Sequence, residues 1–342
     1  MENHPHPEPF TEDARAGLEA AMYELKRVVV GQDAMLERLL VALLANGHVL
    51  LEGVPGLAKT LTVKTLAGVL GGTFRRVQFT PDLVPSDLVG TRVFRPDTGS
   101  FDTELGPVFG NFLLADEINR APAKVQSALL ETMQERQVTI GGTTYPLPSP
   151  FLVMATQNPI ESEGTYPLPE AQVDRFLFKL VVDYPSTGEE SAVVHRVIGP
   201  VIEVAEQLGP QALARYRATA RRVFVDREVV DYGVAIADAT RHPARWGLPE
   251  LSGLIEYGAS PRGPIGLIQA AQALAVLRGR HYVVGEDVRD LAADVLRHRL
   301  VLSYDALSDG VGPDAILEAV LDRVDARAAE AARANGRAWA AA

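Results

Sequence analysis

Short apolar runs alternate with segments of helical periodicity along the first half of the chain. Two helical segments come first, at 11–27 and 32–44, and Thr11 is placed to cap the first of them. The apolar runs cover 48–52, 75–79, 111–115, 151–155 and 177–182, with helical periodicity at 60–70 and 123–134 between them. Apolar runs that are followed by helices are typical of parallel strands buried on both faces. The pattern predicts an α/β fold with a parallel five-stranded sheet and helices on both of its faces.

Two segments interrupt this alternation. Residues 88–109 are rich in Gly, Thr, Phe and Pro, and residues 138–148 carry Gly141-Gly142 between two β-prone stretches. A Gly-Gly pair in this setting favours a hairpin. Both segments are predicted to be insertions in the sheet domain.

The strand signal fades after about residue 186, and the later periodic segments are helical. They lie at 190–198, 211–219, 227–240, 264–277 and 286–298. We therefore expect a sheet domain over 11–186 and a smaller, all-helical domain over 187–330. Residues 1–10, rich in Pro and His, are expected to be disordered, and the Ala-rich residues 331–342 to form a loose tail.

Composition and charge narrow the functional classes. The 342 residues include no Cys, which excludes disulfides and thiolate metal sites. No signal peptide and no apolar stretch of about 18 residues is found, so we expect a cytoplasmic protein without a membrane span. The net charge of −11 argues against a generally basic surface for nucleic acids. It does not exclude a local basic channel.

The stretch GVPGLAKT, residues 53–60, lies between an apolar run and a helix and is similar to the phosphate loop G-x-x-x-x-G-K-[ST]. In such a loop, backbone N–H groups and a helix N-terminus face the phosphates. Lys59 is then expected to pair with the β- and γ-phosphates and Thr60 to ligate Mg²⁺. Ala58 stands where a glycine is usual, and it fits if its φ angle is negative. A Gly- and Pro-rich turn with a chance lysine is the alternative.

Two adjacent acids, Asp116 and Glu117, follow the third apolar run. Carboxylates at the end of a buried strand are costly unless a cation or a substrate uses them. We expect Asp116 to hold Mg²⁺ through water and Glu117 to act as general base on the attacking water. The alternative is a pair of acids that caps the following helix.

Three more polar residues lie at element ends. Asn158 follows the fourth apolar run, where it can orient the water or contact the γ-phosphate, unless it only forms a turn before Pro159. Arg175 precedes the fifth run, and Arg262 begins a helix, where a cation is unfavourable unless an anion reaches it. Arginine stabilises the charge of a transferring phosphoryl group, but either residue also suits a surface ion pair.

Together these motifs resemble the MoxR family of AAA+ ATPases over about residues 30–299. GVPGLAKT resembles the phosphate loop of that family, LLADEINRAPAKVQSALLETMQE its acid strand and next helix, and ATQNP its sensor 1. LPEAQVDRF is similar to the arginine-finger segment, GASPRG to sensor 2, and YVVGEDVRDLAADVLRHRL to the C-terminal lid helix. The resemblance implies an AAA+ P-loop αβα sandwich followed by a helical lid.

The motifs and the resemblance assign residues to ATP, to Mg²⁺ and to catalysis. Nucleotide-binding residues are Gly53, Val54, Pro55, Gly56, Leu57, Ala58, Lys59, Thr60, Leu61 and Asp116; metal ligands are Thr60 and Asp116; catalytic residues are Glu117, Asn158, Arg175 and Arg262. Arg175 is the expected finger that reaches the ATP of a neighbouring subunit, because it precedes the edge strand, whereas Arg262 acts within its own subunit. Arg120, in INRAP, is an alternative interface residue.

The resemblance also implies partners. Members of this family form rings, usually hexamers, and act as chaperones that mature or activate proteins, often with von Willebrand factor A domain partners. We therefore expect a homohexamer in the presence of ATP and a protein client, with the insertions 88–109 and 138–148 facing the ring pore. No D-x-S-x-S signature of the partner domain occurs in this chain.

Two other ATP-driven functions stay open. A nucleic-acid motor uses similar insertions, but its hairpins usually carry Lys or Arg, and here only Arg92 and Arg95 are found, both in the first insertion. A magnesium-chelatase-like subunit is the second alternative. A nucleotide-binding scaffold without turnover is disfavoured, because binding alone does not require Glu117.

Overall fold

The computed structural model describes residues 9–54, 57–158 and 164–334. It divides into two compact units. The sheet unit contains the described residues up to Arg222 together with Val276–Gly279, and the helical unit contains Val223–Ala275 and the residues from Arg280 onwards.

Besides two short 3₁₀ helices at Pro107–Phe109 and Ile118–Arg120, the described part of the sheet unit contains nine strands and eight α-helices. In chain order they are α1 (Pro9–Val28), α2 (Asp33–Leu44), β1 (Val49–Gly53), α3 (Lys59–Val69), β2 (Phe74–Gln78), α4 (Pro85–Val89), β3 (Gly90–Arg95), β4 (Ser100–Leu105), β5 (Phe112–Asp116), α5 (Ala123–Glu135), β6 (Gln137–Ile140), β7 (Thr143–Pro146), β8 (Leu152–Gln157), α6 (Glu170–Val173), β9 (Phe178–Val182), α7 (Thr187–Ile198) and α8 (Pro210–Arg222).

Five of these strands form one parallel sheet, in the order β2-β5-β8-β1-β9. The middle strands β5, β8 and β1 consist almost entirely of buried apolar residues, as expected for strands that are covered on both faces. Strand β8 pairs with β1 on one side and with β5 on the other. The predicted five-stranded parallel sheet is therefore confirmed, and the segments that follow β1, β5 and β8 come together at one edge.

Both insertions contain antiparallel hairpins. Strands β3 and β4 pair between residues 90 and 105, and β6 pairs with β7 around Gly141-Gly142, as predicted for the second insertion. Tyr145 of β7 donates its hydroxyl to Oγ1 of Thr103 at 3.1 Å, so the hairpins contact each other. The bases of the insertions belong to one buried core that also holds Ile118, the residue after Glu117.

The helical unit contains four long helices and a small sheet among its described residues. They are α9 (Arg227–Arg241), β10 (Ile255–Tyr257), α10 (Arg262–Leu277), α11 (Gly285–Leu296), β11 (Val301–Leu302), α12 (Tyr304–Ser308) and α13 (Pro313–Ala334). The helices were predicted, whereas the short antiparallel β10–β11 pair was not. Asp287 is fully buried in α11, and its carboxylate pairs with Arg280.

The boundary between the units differs from the expected one at 186/187. Residues 187–222 belong to the sheet unit, because α8 and the segment before it pack on earlier helices. Gln207 donates its N–H to the carbonyl of Val69 at 2.8 Å, and Arg217 Nε donates to the carbonyl of Leu43 at 2.7 Å. Such contacts join residues more than 130 positions apart, and no local pattern reports them.

The chain ends also differ in part from expectation. Helix α1 begins at Pro9, so it includes two residues of the expected disordered segment, and α13 runs through 331–334 of the expected loose tail. The remaining residues of both segments lie outside the described ranges. No helix in the described part of the chain is long and apolar enough to cross a membrane.

Candidate functional site

A cleft of about 480 Å³ opens at the carboxyl edge of the parallel sheet. It lies within the sheet unit, where the segments after β1, β5 and β8 meet. Its lining residues are Gly53, Leu57, Ala58, Lys59, Thr60, Leu61, Arg76, Gln78, Asp116, Glu117, Thr156, Gln157 and Asn158. The cleft thus brings together nine of the fourteen residues that the sequence assigned to ATP, Mg²⁺ and catalysis.

The phosphate loop connects β1 to α3, and Lys59 is the first residue of that helix. Its Nζ donates to the carbonyl of Gly53 at 2.6 Å, so the ammonium lies across the loop. Burial lowers the pKa of Lys59, and the nearby carboxylates of Asp116 and Glu117 partly offset that shift. Val54 connects the strand to the loop, whereas Pro55 and Gly56 lie outside the described residues.

Only glycine fits at position 53, the start of the loop, because the neighbouring strand leaves no space for a side chain. A Cβ on Gly53 would lie 2.6 Å from the carbonyl oxygen of Val182 on the neighbouring strand β9. Backbone atoms cannot give way as the end of a flexible side chain can. The first glycine of the motif therefore serves strand packing as well as the turn.

Ala58 has a left-handed backbone, contrary to the expected negative φ angle. Its φ and ψ are 54° and 18°, a conformation that costs an L-residue with a Cβ about 1–2 kcal/mol. The residue immediately precedes α3, and its carbonyl accepts the N–H and the hydroxyl of Thr62 at 2.9 and 3.0 Å. The loop reaches the helix through a turn that suits glycine, and alanine occupies it under strain.

The carboxylate of Asp116 is held by two donors from neighbouring strands. Arg76 on β2 donates Nη2 to Oδ2 at 2.7 Å, and Thr156 on β8 donates its hydroxyl to Oδ1 at 2.7 Å. Both donors lie in strands that flank β5. Three hydrogen bonds from these two side chains, including one from Nε of Arg76 at 3.2 Å, therefore fix the carboxylate at the cleft.

Glu117 also has a left-handed backbone, with φ at 56°. Its N–H donates to Oγ1 of Thr156 at 2.8 Å, which turns the chain away from the strand direction. Its Oε2 accepts from Nε2 of Gln78 at 2.8 Å and lies 3.0 Å from Nε of Arg120. Strained non-glycine residues concentrate at functional sites, and here the surrounding hydrogen bonds hold the carboxylate in one orientation.

The residues present fit a bound Mg²⁺. The hydroxyl of Thr60 and the carboxylate of Asp116 are hard oxygen donors, and both line the cleft. Mg²⁺ keeps several waters and commonly takes only one or two protein ligands beside phosphate oxygens. This donor set suits a metal that arrives with a nucleotide.

Two of the four residues that the sequence assigned to catalysis do not line the cleft. Arg175 lies three residues before the start of β9, at the edge of the sheet opposite the cleft, and its Nε is buried without a hydrogen-bond partner in the described structure. Arg262 belongs to the helical unit, where it is exposed and begins α10. The alternative interface residue, Arg120, instead lies beside Glu117 of its own chain.

Sequence reasoning missed four lining residues, namely Arg76, Gln78, Thr156 and Gln157. Arg76 and Gln78 are two positions apart on β2, so they share a face, and the pairing of Gln78 with Asp116 sets them beside the acids. The three polar residues in the strand FRRVQ were a usable signal. These residues can be assigned to the site only once β2 is known to pair with β5, and the sequence alone does not give that pairing.

Comparisons with known proteins agree with this geometry. The model of the ATPase family associated with various cellular activities (AAA) matches residues 48–178, and that of the AAA lid domain matches residues 252–320. The chain is 58% identical over 307 residues to Chaperone MoxR1 of Mycobacterium tuberculosis, covering 90% of this chain and 81% of that protein.

Two further relatives span nearly the whole chain. Protein MoxR of Paracoccus denitrificans is 34% identical over 340 residues, covering 93% of this chain and 98% of that protein. A crystal structure of a candidate ATPase of Cytophaga hutchinsonii superposes with a TM-score of 0.88 at 47% identity, covering 92% of this chain and 96% of that one. The expected fold, an AAA+ sheet domain followed by a helical lid domain, is confirmed. The chain belongs to the MoxR family of AAA+ ATPases.

Proposed function

We propose that this protein is an Mg²⁺-dependent ATPase that forms a ring and remodels or activates other proteins. The observation that carries the ATPase proposal is the cleft that brings Lys59, Thr60, Asp116 and Glu117 to one edge of the sheet. Each of these side chains has a distinct task in phosphoryl transfer to water. The cytoplasmic location expected from the sequence is part of the proposal.

The loop and its lysine bind the triphosphate. The N-terminus of α3 faces the cleft, and its free N–H groups attract phosphate oxygens. When a nucleotide binds, the ammonium of Lys59 leaves the carbonyl of Gly53 and pairs with the β- and γ-phosphates. The negative phosphates then offset the cost of burying the positive charge. Thr60 and Asp116 would hold Mg²⁺, which would supply positive charge against the phosphate oxygens.

Glu117 takes a proton from the attacking water. Its carboxylate accepts the water proton as the new O–P bond forms, and Gln78 and Arg120 keep it aimed at the cleft. Asn158 follows β8, which lies between β1 and β5, so it is positioned to orient the same water. ATP and water thereby yield ADP and phosphate.

Arg175 is proposed to act on the nucleotide of a neighbouring subunit. It lies at the edge opposite its own cleft, and one of its buried donors has no partner in the described structure. A finger supplied in trans fits both observations, and a homohexamer is the ring that the family resemblance implies. Arg120, bound to the Glu117 of its own chain, fits that task less well.

The hairpins are proposed to contact a protein client, and a von Willebrand factor A domain protein is one candidate partner. Phe94 and Phe101 lie opposite each other on β3 and β4, and both are about half exposed. The nucleic-acid motor is disfavoured because the two hairpin arginines are engaged. Arg92 stacks on the ring of Phe101, and Arg95 pairs with Asp102 and Glu104.

Two variants test the ATPase proposal. Glu117→Gln should bind ATP with nearly unchanged affinity and lose at least about 100-fold in turnover, since an amide cannot accept the proton. Lys59→Ala should lose tight binding. Calorimetric titration with ATP and release of phosphate give the two readouts, and EDTA should abolish turnover of the wild type.

Glu135→Gln, an exposed change at the end of α5, is the matched control. Normal ATP turnover in the Glu117→Gln protein would contradict the proposal that Glu117 is the general base. Equal ATP affinity in the Lys59→Ala protein would show that the cleft is not the nucleotide site.

A further inference from the structure

Three arginines gather at the amino edge of the sheet, opposite the nucleotide cleft. We call Arg136, Arg217 and Arg221 the arginine cluster. Arg136 directly follows α5, whereas Arg217 and Arg221 lie one turn apart on α8 and therefore share a face of that helix. The function proposed above uses none of them.

Arg136 occupies its position at a conformational cost. Its φ is 52°, in the left-handed region where helix ends usually carry Gly. Its guanidinium donates Nη2 to the carbonyl of Asn46 at 2.7 Å and Nη1 to that of Phe151 at 3.4 Å. Phe151 immediately precedes β8 and Asn46 lies three residues before β1, so the side chain lies under the middle of the sheet.

Arg217 reaches the same region from α8. Its Nε donates to the carbonyl of Leu43 at the end of α2, and its Nη2 is buried without any hydrogen-bond partner in the described part of the chain. Buried guanidinium donors are rarely left unpaired, because desolvation of an unsatisfied charged donor is costly. Arg221, four residues later, is exposed at the rim of the cluster.

The charge of the cluster is not compensated within the described residues. None of the three arginines has an ion pair with a carboxylate in that part of the chain, although the protein as a whole carries a net charge of −11. Burial, with Arg136 and Arg221 nearby, lowers the pKa of Arg217 to about 10. Burial, together with Arg136 and Arg217, also lowers the pKa of His48 to about 3, so this neighbour adds no charge.

Capping of α2 explains only part of this arrangement. Cations are favourable at a helix C-terminus, and the carbonyls of Leu43 and Asn46 each accept one guanidinium donor there. That role requires one arginine, or at most two, and it leaves Nη2 of Arg217 unsatisfied. It gives no reason for Arg221, whose charge repels the other two.

We propose that the arginine cluster is a binding site for an oxyanion, either a phosphate or a carboxylate group. Guanidinium groups match both anions with paired N–H donors, and the mutual repulsion of three cations is relieved when an anion is bound. Strands of five residues separate this site from the nucleotide cleft by about 16 Å. It is therefore a second anion site that the ATPase cycle does not itself fill.

The test uses the Lys59→Ala protein, in which phosphate binding at the nucleotide cleft is removed. Its melting temperature is measured in sodium phosphate, in sodium succinate and in sodium chloride of equal ionic strength. We expect phosphate or succinate to raise the melting temperature in a saturable way above the chloride value. The same titration is then repeated on two double variants.

Lys59→Ala with Arg221→Gln should lose the anion-specific rise, whereas Lys59→Ala with Arg215→Gln should keep it. Arg215 is an exposed arginine on the same helix, so the two variants differ in position and not in charge. A rise with phosphate alone identifies a phosphate ligand, and a rise with succinate identifies a carboxylate. Equal shifts in both double variants, or no shift beyond chloride, would overturn the proposal, and neither result depends on ATP hydrolysis.

Discussion

Two residues that face the nucleotide cleft, Ala58 and Glu117, hold left-handed backbone angles without being glycine. Such angles persist only where the surroundings over-determine them. The alanine is fixed by the start of α3, and the glutamate by the hydroxyl of Thr156 and the amide of Gln78. The left-handed backbone of Glu117 sets the direction of the carboxylate that is the proposed general base. The side chain of Ala58 is a methyl group and takes no part in the proposed reaction.

Ala58→Gly should therefore stabilise the protein. The substitution relieves about 1–2 kcal/mol of backbone strain in the folded state. It also stabilises the unfolded state by about 0.5–1 kcal/mol through added chain entropy, so the free energy of unfolding should rise by up to about 1.5 kcal/mol. Affinity for ATP should stay equal or increase. Urea unfolding and calorimetric titration measure both quantities.

Ala128→Gly, inside α5, is the matched control and should cost about 1 kcal/mol. A loss at Ala58 as large as the loss at Ala128 would contradict the left-handed assignment.

His48 makes the stability of the sheet unit sensitive to acid. Its ring accepts the N–H of Val153 at Nδ1 and lies 3.2 Å from the carbonyl of Met133 at Nε2, and its pKa falls from 6.5 to about 3. The unfolded state takes up the proton first as pH falls below 6.5. The contribution of neutral His48 is thus complete above pH 6.5 and is lost progressively towards pH 3.

Between pH 6.5 and pH 5 this residue alone should remove about 2 kcal/mol from the free energy of unfolding. His48→Gln, whose amide can replace both ring contacts, should show a flatter pH dependence by about that amount. Urea unfolding at the two pH values, compared between the proteins, makes the measurement. Parallel pH profiles would show that His48 is not protected from protonation.

At the scale of whole elements, helix α11 begins at a buried ion pair. The fully buried carboxylate of Asp287 accepts Nη1 of Arg280 at 2.8 Å and the N–H of Val284, which precedes the helix, at 3.1 Å. A buried carboxylate is tolerated only with such partners. The start of α11 therefore depends on an arginine seven residues before the acid.

Arg280→Ala should lower the free energy of unfolding by about 3–5 kcal/mol, because it removes the arginine that donates two hydrogen bonds to the buried carboxylate of Asp287. Arg289→Ala is the matched control on α11 itself. Arg289 pairs with Asp322 and Asp325 in a partly exposed position, so its loss should cost about 1 kcal/mol or less. Thermal unfolding of the two variants gives the comparison, and equal losses would contradict the burial argument.

At the scale of the whole molecule, the proposed ring predicts a change in particle size. Light scattering on the Glu117→Gln protein should show a shift to about six subunits on addition of ATP and Mg²⁺. Arg175→Ala should keep ATP binding in each subunit and lose at least about 10³-fold in turnover, the lower end of the effect of a trans arginine.

A monomer with and without ATP would mean that the finger assignment is wrong or that another protein builds the active assembly. Unchanged turnover in the Arg175→Ala protein would also remove the argument for catalysis in trans.

The sequence was sufficient for the sheet and for most of the cleft, because the relevant signals are local. Apolar runs located all five strands, and Lys59, Asp116, Glu117 and Asn158 each lie at or next to a strand or helix end. Residues such as Arg76 and Thr156 were missed because their role arises from strand neighbours about 40 positions away. The φ angle of Ala58 and the placement of α8 on the sheet unit likewise depend on packing between distant segments.

The position of β8 between β1 and β5 has a consequence for biosynthesis. The strand that completes the middle of the sheet begins at residue 152, so a growing chain cannot join its first strand to the strand with the two acids before that point. Until then, the loop of residues 53–60 and the acids at 116–117 belong to separate fragments. A chain emerging from the ribosome therefore gains its nucleotide cleft late and in one step, when nearly half of its length has been made.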